Sequence, residues 1–187
     1  MICCKCGVTR VGCVVSDSLE PLVSGVPDSL TNGRFTGRDA FEQLIRTALA
    51  RAAHEGWQEI VLSDTTFEDW PLRERVVAEY LYAWSASGRR MLVLASRFDE
   101  VIRHQARFVA WRKTWGHIID CRVCHVAART DFPSVIWTSG WFMQRVDVQR
   151  SSGVCGFDRE RGLQIKETLD ELLRNSSPGF QTSTLGL

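Results

Sequence analysis

Lysine is nearly missing from this 187-residue chain: Lys5, Lys113 and Lys166 are the three lysines among 23 basic side chains, and arginine supplies the rest. Arginine's planar fork of donors suits phosphate and carboxylate groups, but genomic base composition accounts for a bias this general. A net charge is lacking as well. With 23 basic and 22 acidic residues the formal charge is +1, so no molecule-wide field draws the protein onto nucleic acid or an anionic membrane, and such binding must rest on a local patch. No apolar run approaches the roughly 18 to 20 residues that span a bilayer, and the N-terminus has neither the basic nor the apolar part of a secretion signal. The expected protein is soluble and cytoplasmic, without membrane partners and with its seven cysteines reduced.

Several chemical signatures are missing too. The turn after the first core strand reads Ser63, Asp64, Thr65, Thr66, Phe67 without a glycine, which leaves no backbone cradle for a pyrophosphate. There is no G-x-S-x-G nucleophile elbow and no H-E-x-x-H metal helix. No cofactor is expected. The two C-x-x-C pairs, Cys3 with Cys6 and Cys121 with Cys124, could together offer zinc four thiolates. A strand, however, alternates its side chains, so Cys121 and Cys124 should point to opposite faces, and buried thiols are the expected outcome.

What the chain does contain is an alternation of short β-branched runs with long amphipathic segments. Residues 1–34 have no aromatic residue and no periodicity and read as a poorly ordered arm, 35–180 as a single α/β domain, and 181–187 as a short tail. Phe41, Leu44, Ile45, Ala48, Leu49 and Ala52 predict a helix over 38–55, with Thr36 and Asp39 as a capping box and Gly56 as its end. Strands follow at 59–62, 90–95 and 118–127, separated by helices from Pro71 to Gly88 and from Arg97 to Trp115. Right-handed crossovers make these three strands parallel. Shorter strands at 134–138, 141–148 and 153–157, the first two joined by a Ser139-Gly140 turn, precede a last helix through Ile165, Leu169 and Leu173 that ends before Pro178.

The run from Ile60 to Asp64, then Phe67 to Trp70 with Pro71, Met91 to Ser96, and the helix through Phe108, Trp111 and His117 resembles a phospholipase D-like half-domain. The resemblance implies a mixed, largely parallel sheet flanked by helices on both faces, and pairing of two half-domains as a homodimer. Active members carry His-x-Lys-x4-Asp, in which the histidine attacks phosphorus. The pattern fails at every histidine here: His54 is followed by Gly56 and Val61, His104 by Ala106 and Trp111, His117 by Ile119 and Cys124, and His125 by Ala127 and Phe132. The leading expectation is therefore a non-catalytic phospholipase D-like binding or interaction module, and an enzyme is not favoured.

Two alternatives accompany it. One is a phosphodiesterase or nuclease with a rebuilt site around His104, His117 or His125. The other is nucleic-acid binding by the Arg103 to Trp115 helix, where His104, Arg107 and Trp111 share a face at i, i+3 and i+7 beside Arg112 and Lys113. Arg107 could equally stack on Trp111, a contact worth about 0.5 to 1 kcal/mol at an exposed site. A small anion or phosphate-containing ligand is a further candidate partner, since Asp64, Arg97, His125 and Arg129 fall at the carboxyl ends of the strands, where open α/β sheets bind ligands.

Overall fold

The computed structural model describes residues 28–86, 89–125 and 132–180. In chain order these form β1 (Gly33–Phe35), α1 (Arg38–Glu55), β2 (Glu59–Asp64), α2 (Arg75–Ser85), β3 (Arg90–Ala95), α3 (Asp99–His104), α4 (Ala106–Thr114), β4 (Ile119–Cys124), β5 (Ser134–Trp137), β6 (Phe142–Asp147), β7 (Ser152–Gly156), α5 (Arg159–Arg174) and β8 (Ser176–Pro178). All eight strands belong to one mixed, open sheet in the order β1-β7-β6-β5-β2-β3-β4-β8. The β2–β3 and β3–β4 pairs are parallel, as the crossover rule requires, and every other pair is antiparallel. The fold is α/β. The expected arm and tail lie almost wholly outside the described residues, although β1 begins at Gly33, within the segment read as arm.

The central strands feed two separate apolar clusters because their side chains alternate. Ile60, Leu62, Met91, Val93, Ala95, Ile119 and Cys121 enter the first, together with Phe41, Ile45 and Leu49 of α1, Val77, Leu81 and Trp84 of α2, Val101 of α3, and Phe108 and Trp111 of α4. Val61, Leu92, Leu94, Cys124, Val135, Trp137 and Phe142 enter the second with Ile165 and Leu169 of α5. Cys121 and Cys124 thus serve different faces, as alternation predicts. They cannot converge on one metal ion. Cys3 and Cys6 lie outside the described residues, among which no cluster of metal-ligating side chains occurs.

Three local expectations need correction. Helix α1 spans the expected residues, and Gly56 closes it in the left-handed conformation with its N–H on the Ala52 carbonyl, but its N-cap is Gly37 and no side chain caps it. The Arg97 to Trp115 helix is two helices, broken at Gln105, whose backbone departs to φ −122° and ψ 55°. At the break the Gln105 side chain is buried, and its Nε2 donates to the Phe67 carbonyl at 2.5 Å. Strand β8 was not anticipated: the Ser177-Pro178 sequence that stops a helix also pairs antiparallel with the edge of β4, where proline is tolerated.

Candidate functional site

Asp64 ends β2 and is buried, with a tightly satisfied carboxylate. Its Oδ1 accepts the Thr66 and Phe67 N–H groups, while Oδ2 accepts from Ser134 Oγ at 2.6 Å and Arg145 Nη2 at 2.9 Å. The turn this anchors holds Phe67 at φ 58°, an uncommon value for a bulky residue, with its ring packed 4.9 Å from that of Trp70. Arg145 extends the network through Nε to Ser134 Oγ and Nη1 to Asp69, and lies over the Phe41 ring at 4.2 Å. A buried ion pair holds only when its remaining donors and acceptors are occupied; here they are. Asp64 therefore belongs to a structural network.

Of the strand-end candidates, Asp64 is committed within the domain. Asp64 pairs with Arg145 from β6, a residue that sequence reasoning missed because no local pattern links positions 81 apart. Arg97 and His125 are exposed, and Arg129 lies outside the described residues.

The third-helix candidates divide sharply. Trp111 has no exposed surface, and its indole donates to Ser85 Oγ at 2.9 Å. Arg112 is 7% exposed, with Nε donating to Cys121 Sγ at 3.2 Å. Burial pushes the Cys121 thiol up to about 11, against the lowering effect of that guanidinium. Neither Trp111 nor Arg112 can reach a partner, because Phe108, Trp111 and Arg112 form the inward face of α4. Arg107 does not stack on Trp111; it is exposed and donates to the Arg73 carbonyl at 2.8 Å. His104 sits 3.5 Å from Glu100.

What stays on the surface is cationic. Arg73, Arg103, Arg107 and Lys113 are exposed, and none of the four forms an ion pair among the described residues. Residues 101–119 contain no aspartate or glutamate, a signal available in the sequence that the search for aromatic interleaving passed over. Exposed Ala106 and Ala110 leave this helix free of bulky groups between its cations. Such a surface can approach a row of phosphates closely and neutralise several of them.

No family model and no curated protein matches the chain. Among solved structures, the archaeal chromatin protein TrmBL2, described as showing a novel mode of DNA binding, matches with a TM-score of 0.58 at 14% identity. The two share a fold. The match covers 84% of this chain but 56% of TrmBL2, so the chain spans little more than half of that protein's length. This finding overturns the leading expectation of a phospholipase D-like interaction module, since the neighbour is a chromatin protein and not a phospholipase D-like one. No helix among the described residues is long and apolar enough to cross a membrane.

Proposed function

We infer that this protein binds nucleic acid, with the α3–α4 surface contacting the phosphate backbone through Arg103, Arg107 and Lys113, and with Arg73 beside them. The observation that carries this reading is that exposed Arg103, Arg107 and Lys113 form no ion pair among the described residues and fall within 101–119, a stretch free of carboxylates, whereas Arg73 lies outside that stretch and near Glu68, Asp69 and Glu100. The DNA-binding chromatin protein that shares the fold supports it. Contacts of this kind position a protein without reading sequence. Trp111 is inside the core, so stacking of bases on that ring plays no part, and Arg112 contributes structure alone.

A phospholipase D-like ancestry is a separate proposal, supported by the order of strand and helix along residues 58–127; with it go helices covering both faces of the sheet and pairing of two copies as a homodimer, which light scattering tests. The test of nucleic-acid binding is fluorescence anisotropy with a labelled DNA duplex at low salt. Arg103→Ala, Arg107→Ala and Lys113→Ala combined should weaken binding at least tenfold while Trp111→Phe leaves it unchanged. Absence of any retention at low salt would remove the proposal.

A further inference from the structure

A cavity on the opposite side of the sheet is unrelated to the cationic helix. It holds about 750 Å³ between α5 and the sheet's β5-β6-β7-β1 end. Arg34 pairs across strands with Val154, Val154 with Gln144, and Gln144 with Val135, so these four side chains form one row on one face. Over that row lie Arg161, Gln164, Ile165 and Thr168 of α5, spaced i, i+3, i+4 and i+7. A helix stripe facing a sheet is ordinarily apolar. In its C-terminal half α5 obeys this rule with Leu169, Leu172 and Leu173, but in its N-terminal half Ile165 is the single apolar member. A polar helix stripe facing a row that contains Arg34 and Gln144 leaves space where packing is the rule.

We propose that this cavity binds a nucleoside monophosphate. Asn32 and Gln164 line it with amides, which both donate and accept and so can read the edge of a base, while Gln144 is engaged through its Oε1, which accepts from Arg161 Nη2 at 3.1 Å. Val135, Val154 and Phe142 supply an apolar floor for its plane. The charged lining is balanced, with Arg34 and Arg161 against Asp158 and Glu160, but Asp158 is committed as the α5 N-cap, accepting from the Arg161 backbone N–H at 2.7 Å. The Arg34 guanidinium, the Arg161 guanidinium with one amino group on Gln144, and the Glu160 carboxylate remain. A ligand with one phosphate and a vicinal diol uses both signs, since arginine grips phosphate in a fork and a carboxylate accepts from ribose hydroxyls. The volume lies within the roughly 300 to 1,000 Å³ of small-molecule sites. Gly156 keeps the mouth open: a Cβ there would come 2.5 Å from Asn32 Oδ1.

Isothermal titration calorimetry with AMP, ribose 5-phosphate and adenosine tests the assignment on the full chain. AMP should bind saturably, and Arg34→Met with Arg161→Met should weaken it at least tenfold while leaving adenosine unchanged. Ribose 5-phosphate should bind more weakly than AMP with the same arginine dependence. Gly156→Ala, which displaces only the Asn32 amide, should weaken AMP severalfold and serves if the double variant fails to fold by circular dichroism. No saturable binding of AMP, GMP, CMP or UMP at millimolar concentration to folded protein would overturn the proposal, as would AMP affinity indifferent to these substitutions. The Arg103, Arg107 and Lys113 variant should bind AMP normally, so this test and that of nucleic-acid binding fail separately.

Discussion

Arg145 is the side chain on which the interior of this domain most depends. It reaches Asp64, Asp69 and Ser134 at once from β6, and its side chain is 2% exposed. Removing one partner of a buried, hydrogen-bonded ion pair typically costs about 3 to 5 kcal/mol because the other charge is left stranded. Arg145→Met should therefore lower stability in urea by that order, and Asp64→Asn added to it should restore part of the loss. A loss under about 1 kcal/mol would mean that Asp64 is hydrated in solution. The buried thiols give a second test at this scale. Burial raises both Cys121 and Cys124 from 9.0 to about 11. A thiol harder to ionise when folded stabilises fully below the unfolded value, and that contribution drains away as pH rises through the folded one. Thermal midpoints should fall between pH 9 and 11, less steeply in Cys121→Ala with Cys124→Ala, and Cys121 and Cys124 of the native protein at pH 8 should react slowly with thiol reagents, as peptide mapping would show.

Among the elements, the Gln105 break sets the surface of the molecule. Phe98, Val101, Gln105, Phe108, Trp111 and Arg112 are buried along α3 and α4, whereas Ile102 is 51% exposed. Gln105→Leu removes one of two bonds to the Phe67 carbonyl, which still accepts from the Trp70 N–H at 3.2 Å, and should cost about 0.5 to 1.5 kcal/mol; no measurable loss would show that water replaces the amide. Trp111→Ala should cost about 3 to 5 kcal/mol as a core truncation. These elements also mark what could be read beforehand. Helix α1, strands β2 and β3 and their parallel pairing were legible because period and length agree locally. The face of α4 was not, because the helix breaks at Gln105 and the faces of α3 and α4 are set separately. Nor was the Arg145 partnership with Asp64, which only the β2-β5-β6 arrangement creates.

For the whole molecule, near-neutral composition conceals a division of labour. Strand alternation builds two cores, α4 packs into the first and turns a carboxylate-free, arginine-bearing surface outward, and α5 packs into the second and holds a polar cavity over the far strands. A protein with a formal charge of +1 draws its affinity for a polyanion from such a patch alone, and counterion release makes that affinity steeply dependent on salt. The decisive measurement is the slope of log affinity against log salt for a DNA duplex, compared between the natural protein and the variant with Arg103, Arg107 and Lys113 replaced by alanine. Three lost phosphate contacts should flatten the slope by about 2.7. An unchanged slope, or binding equally strong in the variant, would contradict the account.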